Sequence, residues 1–96
     1  MLALIVKLKI KPGSSEEFER RFADLAELVR ASEVGNIEVR LCRSQTDPTM
    51  FTAFEIYRDQ AAIDAHEKMA YVAAHSPGLM ALFDGVPKVE TLDLID

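Results

Sequence analysis

Between residues 2 and 10 apolar and polar positions alternate with a period of two. Leu2, Leu4, Val6, Leu8 and Ile10 fall on one side, and Ala3, Ile5, Lys7 and Lys9 on the other. The pattern predicts a strand whose second side starts apolar and ends charged, so it is covered on both sides first and emerges into solvent later. Lys11-Pro12-Gly13 stops it, because proline removes a donor and glycine permits a turn. The period then changes. Phe18, Phe22, Leu25 and Val29 form the stripe of an amphipathic helix, widened by Leu28, with Glu16, Glu19, Arg20, Arg21, Asp24, Glu27 and Arg30 on the rest of the surface. Ser14-Ser15-Glu16-Glu17 reads as a capping box, Ser14 being the cap. The helix is expected to end near Ser32-Glu33, with Gly35-Asn36 as the turn.

Residues 37–43 alternate again, with Ile37, Val39 and Leu41 against Glu38, Arg40 and Cys42. Residues 50–57 are rich in aromatic and β-branched side chains, and Thr46-Asp47-Pro48 is the turn that joins the two runs as an antiparallel hairpin. The second run passes into a helix through Arg58-Asp59, with Asp59 as its N-cap. Ala62, Ile63, His66, Met69 and Ala70 share one helical face, which puts an imidazole among apolar residues. Ser76-Pro77-Gly78 predicts a division into helices over 60–74 and 77–83, Ser76 capping the second and Pro77 opening it. After Asp84-Gly85, residues 86–95 read as a final strand. Both of its rows are mixed in character, as suits an edge or a dimer seam.

The order strand, helix, strand, strand, helix, strand is laid down most simply as an α+β, ferredoxin-like βαββαβ sandwich with a four-stranded antiparallel sheet. The 96 residues make one domain, residues 1–96. Both helices would cover one face. Ala3, Ile5, Phe51, Ala53 and Cys42 are expected on the other, which is then too apolar for water. The expected cover is the sheet of a second copy, giving a homodimer.

Composition narrows the partners. Eleven basic against 16 acidic residues leave a net charge of −5, unfavourable for nucleic acid and for anionic membrane surfaces. Lys7, Lys9 and Lys11 read as one solvated side of a strand. Cys42 is the single cysteine, so no intrachain disulfide forms and a reducing compartment fits. Residues 1–6 lack a basic leader, Lys7 interrupts the apolar run, and no run reaches the ~18 residues that span a bilayer. A cytoplasmic protein is expected.

Candidate chemistry centres on His66. A buried imidazole needs a partner or a cavity, since an unpaired buried polar group costs about 1–3 kcal/mol. His66 could act as a general base or donate to a substrate oxygen, or it could be a structural histidine held by Glu55 or a backbone carbonyl. Tyr71 and His75, four apart, could line a pocket for a polar aromatic ligand or lie on a solvated helix surface. Asn36 could reach a ligand from the strand mouth, and Phe83 could wall a pocket. His66 and His75 lie about 180° apart on a continuous helix and no Cys/His cluster adds ligands, so no metal is expected. Glycine-rich phosphate loops, nucleophile elbows and dinucleotide fingerprints are absent from the sequence.

Four features in order resemble the antibiotic-biosynthesis-monooxygenase-like domains of the dimeric α+β barrel group. They are Lys11-Pro12-Gly13 before a Glu/Phe-rich helix, Gly35-Asn36-Ile37, the run from Phe54-Glu55 through Arg58-Asp59 to Ala65-His66, and a final strand from Pro87 to Leu92. Tyr71 and Val72 stand where the family often has His and Phe, and Tyr57 where it often has Trp. The resemblance implies a dimeric α+β barrel with a pocket between sheet and helices. It implies oxygenation of a quinol-like or polycyclic phenolic small molecule without metal, flavin or any tightly held cofactor, by way of a deprotonated substrate that reduces dioxygen. Other members are isomerases or have no known activity, so a cofactor-free isomerase and a non-catalytic small-molecule-binding domain remain as alternatives. On the oxygenase reading His66 and Glu55 are the catalytic pair, Glu55 orienting His66, while Tyr71, His75, Asn36 and Phe83 hold substrate.

Overall fold

Alternation and helical periodicity resolve into seven elements in the computed structural model, which describes residues 1–96. They are β1 (Leu2–Lys9), α1 (Ser15–Ser32), β2 (Asn36–Arg43), β3 (Met50–Tyr57), α2 (Gln60–Glu67), α3 (Ala70–Met80) and β4 (Lys88–Asp93). The sheet order is β2-β3-β1-β4, every neighbouring pair being antiparallel. This is the ferredoxin-like arrangement, with the second helical region divided in two.

Register decides which side chains share a face. Leu4 pairs with Glu55, Val6 with Ala53 and Leu8 with Phe51, while Val39 pairs with Glu55. These side chains point towards the helices. At one end Leu8, Ile10, Phe18, Phe51 and Leu79 close into a core, Phe18 meeting Phe51 edge-on at 5.0 Å. In the middle Val39 packs on Ala26 and Val29, and at the other end Tyr57 packs on Ala62 and Ile63. Phe51 and Ala53 therefore belong to the covered face, contrary to expectation. Their strand neighbours Phe54 and Ile56 take the outer face instead, with Ala3, Ile5, Cys42 and Leu92. The outer face keeps an apolar patch of changed membership, bordered by Lys7, Glu38, Arg40 and Glu90.

Three local expectations are corrected. Ser14 is the N-cap of α1, but its side chain makes no capping bond, and Glu17 instead accepts from Arg21 at 2.8 Å. A bulge between Asn36 and Glu38 turns Ile37 outwards, where it is half exposed. Pro77 does not divide the helices: it lies inside α3, and Ser76, rather than capping, donates from its hydroxyl to the Val72 carbonyl at 2.6 Å. The division falls at Met69, whose ψ of 134° is extended. Tertiary contacts explain the shift, because the residues on either side of Met69 serve one common partner, described next. β4 is shorter than expected, fully exposed, and paired only with β1 at the edge of the sheet. No helix is long and apolar enough to cross a membrane.

Candidate functional site

Local sequence places His66. Asp59 caps α2, accepting from the Ala62 N–H at 2.9 Å, and this fixes where the helix begins after β3. Within that helix Ala62 and Ile63 pack on Tyr57, which leaves His66 on the inner side of the last turn. Its side chain is 17% exposed. The imidazole lies 5.6 Å from the Tyr57 ring, centroid to centroid.

The partner of the imidazole is Glu33, the residue that ends α1. Its carboxylate lies 2.9 and 3.0 Å from His66 Nδ1 through its two oxygens, and is almost wholly buried. The Tyr71 hydroxyl, from the first turn of α3, donates to the same carboxylate. One carboxylate thus gathers side chains from α2 and α3. In an unbroken helix residues 66 and 71 would point about 140° apart, so the extended Met69 is what lets both reach it. The turn carrying Glu33 is itself tied down: Arg58 N–H donates to the Gly35 carbonyl at 2.8 Å, and Asn36 N–H to the Glu33 carbonyl at 3.1 Å.

Glu55 therefore does not orient His66, as was expected of it. It accepts instead from the Tyr57 hydroxyl at 2.8 Å. Glu55 and His66 do border the same enclosed space, a cavity of about 80 Å³ walled by Phe22, Leu25, Ala26, Val29 and Val39. Burial, and then the neighbouring Glu55 charge, push the Tyr57 phenol well above its ordinary range. Burial, and then the bond to Glu33, push the Tyr71 phenol up to about 12. Both phenols stay protonated at neutral pH and act as donors.

The other residues singled out lie elsewhere. His75 borders a shallow depression with Asp24, Glu27 and Leu28, which neither Glu33 nor Tyr71 lines. Asn36 donates to the Glu38 carbonyl at 3.3 Å and lines a second cleft of about 180 Å³ that Glu33, Arg58 and Met69 also border. Phe83 packs on Phe18 at 6.2 Å and is bridged to Ile10, at the opposite end of the sheet from Tyr57. None of the three joins His66. No three His, Cys, Asp or Glu side chains gather as metal ligands would.

Sequence reading missed Glu33. One signal was available: a carboxylate at the C-terminal end of a helix opposes the helix dipole, at a cost of about 0.3–1 kcal/mol. Such a residue calls for a compensating partner, and two donors supply it.

Fold and site together define a ferredoxin-like α+β domain with an imidazole–carboxylate pair beside an apolar cavity. Residues 1–77 match the antibiotic biosynthesis monooxygenase family model, and the chain belongs to that family. It is similar to the crystal structure of a candidate antibiotic biosynthesis monooxygenase from Caulobacter crescentus CB15, with 30% identity and a TM-score of 0.94 over 99% of this chain and 90% of that one. SnoaB of Streptomyces nogalater, a cofactor-independent oxygenase solved in a mutant form, shares the fold at 19% identity and a TM-score of 0.87, over 99% of this chain and 93% of its own. The uncharacterized protein sll1783 of Synechocystis sp. is 34% identical over 77 residues, covering 77% of this chain and 52% of that protein. The chain spans about half the length of this curated relative.

Proposed function

We propose that this protein is a cofactor-independent monooxygenase acting on a quinol-like or phenolic small molecule, with His66 as general base. One observation carries the reading: an imidazole held through one nitrogen by a buried carboxylate borders an apolar cavity that also holds a second carboxylate, Glu55. A neutral imidazole can take the proton of a substrate hydroxyl, leaving an electron-rich anion that reduces dioxygen. For a hydroquinone the balance is one dioxygen in, a hydroxyquinone and one water out, both electron pairs coming from the substrate. Glu55 would receive a second substrate hydroxyl. Membership of the family supports this chemistry, and the apolar walls suit an aromatic ring.

Size constrains how the substrate is admitted. An apolar cavity of about 150 Å³ binds benzene, roughly twice the space beside His66. Even one ring therefore needs the site to widen, and a polycyclic one needs more. The walls that would have to give are α1, which supplies Phe22, Leu25, Ala26 and Val29, and the last turn of α2.

The active form would be a homodimer joined through the outer sheet faces, where Ile5, Phe54, Ile56 and Leu92 otherwise meet water. The deciding experiment is oxygen consumption with a panel of quinols and anthrone-like phenols. His66→Ala should abolish uptake while leaving fold and assembly intact, and unchanged turnover in that variant rejects the role of His66. Saturable binding without oxygen uptake would make the protein a non-catalytic binder, and substrate rearrangement without uptake would make it an isomerase.

A further inference from the structure

We infer that Glu33 is a positioning residue that holds His66 as the Nδ1–H tautomer, so that Nε2 is the atom that accepts the substrate proton. The inference rests on the proposed role of His66 and assigns the direction of that role.

The geometry carries it. Both carboxylate oxygens lie within hydrogen-bonding distance of Nδ1, at 2.9 and 3.0 Å, and an ionised carboxylate only accepts. A neutral ring facing it therefore keeps its one proton on Nδ1. Nε2 has no protein partner, yet no side-chain nitrogen or oxygen is both buried and unpartnered. Nε2 is therefore open to a guest of at least the size of water, on a ring that borders the cavity. The Tyr71 hydroxyl occupies one oxygen of the same carboxylate, which fixes its plane from a second direction. Glu33 is nearly excluded from solvent, which strengthens these bonds.

Glutamine at this position keeps the shape but has one accepting oxygen for two donors. Its amide N–H₂ must then face either Tyr71 or Nδ1. Facing Nδ1 it donates, and it moves the ring proton to Nε2, where it blocks acceptance. E33D keeps the charge one methylene further back.

Nitrogen-15 NMR of the His66 ring in the substrate-free protein, at the pH of turnover, tests the assignment. The expected result is a proton on Nδ1 alone in the parent, a shift towards Nε2–H in E33Q, and Nδ1–H largely retained in E33D. A parent ring protonated on Nε2 alone, or on both nitrogens, overturns it. So does a ring still protonated on Nδ1 alone in E33L, which keeps similar volume but offers no acceptor. In steady-state kinetics E33Q should lose roughly 10²-fold in kcat or more, within the range a general base supplies, with KM little changed. E33D should recover about tenfold of that, since a small misplacement costs less than a wrong protonation state. The NMR result does not depend on turnover. If no substrate is oxidised, the functional reading fails and the tautomer assignment stands. If turnover requires His66 and is indifferent to E33L, the inference fails and the functional reading survives.

Discussion

Gly35 and Ala62 meet so closely that a Cβ on the glycine would lie 2.5 Å from the Ala62 methyl. The turn after α1 is thus pressed against α2 at the level that lets Glu33 reach His66. Gly35→Ala should force the two apart and destabilise the protein by about 1–3 kcal/mol, the usual cost of overpacking. It should also lengthen the Glu33–His66 bond. Ala62→Gly in the same chain should restore the contact while costing ~1 kcal/mol of helix propensity. Urea midpoints of the parent, the single and the double variants measure both terms. A Gly35→Ala midpoint equal to the parent's would show that the contact carries no constraint.

Alkaline pH should unfold the protein partly through Tyr71. Its folded-state pKa is raised to about 12, above the ~10 of an unfolded tyrosine. Between these values the native state holds a proton that the unfolded state has lost. Stability is therefore whole below about pH 10 and falls as pH rises through 12. Tyr57 adds to the loss in the same direction. Tyr71→Phe should flatten the decline across this window, measured as the urea midpoint against pH. An identical slope in parent and variant would refute the coupling.

Pro77→Ala should stabilise the protein. Pro77 lies within α3 and is exposed, so it contributes little packing, and it cannot donate to the Ala73 carbonyl one turn back. Helix-interior proline costs about 3 kcal/mol, of which the stiffness it gives the unfolded chain returns about 0.4–1. Ser76, bonded back to Val72, already eases the local geometry, so a net gain of ~1–2 kcal/mol is expected. Thermal unfolding with parallel helix content by circular dichroism gives the answer, and a lower melting temperature contradicts it.

The outer sheet face supplies the test of assembly. Phe54→Glu places a charge among Ile5, Ile56 and Cys42 without touching the helix-covered core. Sedimentation should report a dimer for the parent and a monomer for the variant. Cys42, exposed in the single chain, should react faster with a thiol reagent in the variant. A parent that sediments as a monomer at micromolar concentration excludes the dimer.

Local periodicity carried most of the fold. The alternation of β1 and the stripe of α1 are properties of neighbouring residues, and they survive into the structure, except that Ala26 rather than Leu28 widens the stripe. Which face Phe51 and Ala53 occupy depends on pairing with β1, so it could not be read from β3 by itself. The outward Ile37 depends on a one-residue bulge that leaves no local mark. His66 was legible because helical spacing put it among apolar residues. Its partner was not, since Glu33 stands 33 positions away and meets it only through the close packing of Gly35 on α2. The same nonlocal bond moved the helix division from Pro77 to Met69.

The division at Met69 makes the two donors to Glu33 separable. Because the chain between His66 and Tyr71 is uncoiled for a single residue, insertions or deletions there would swing the phenol while leaving the imidazole anchored by its own helix. Changes of length at this one joint would therefore alter the second donor to Glu33 without rebuilding the helix that carries His66.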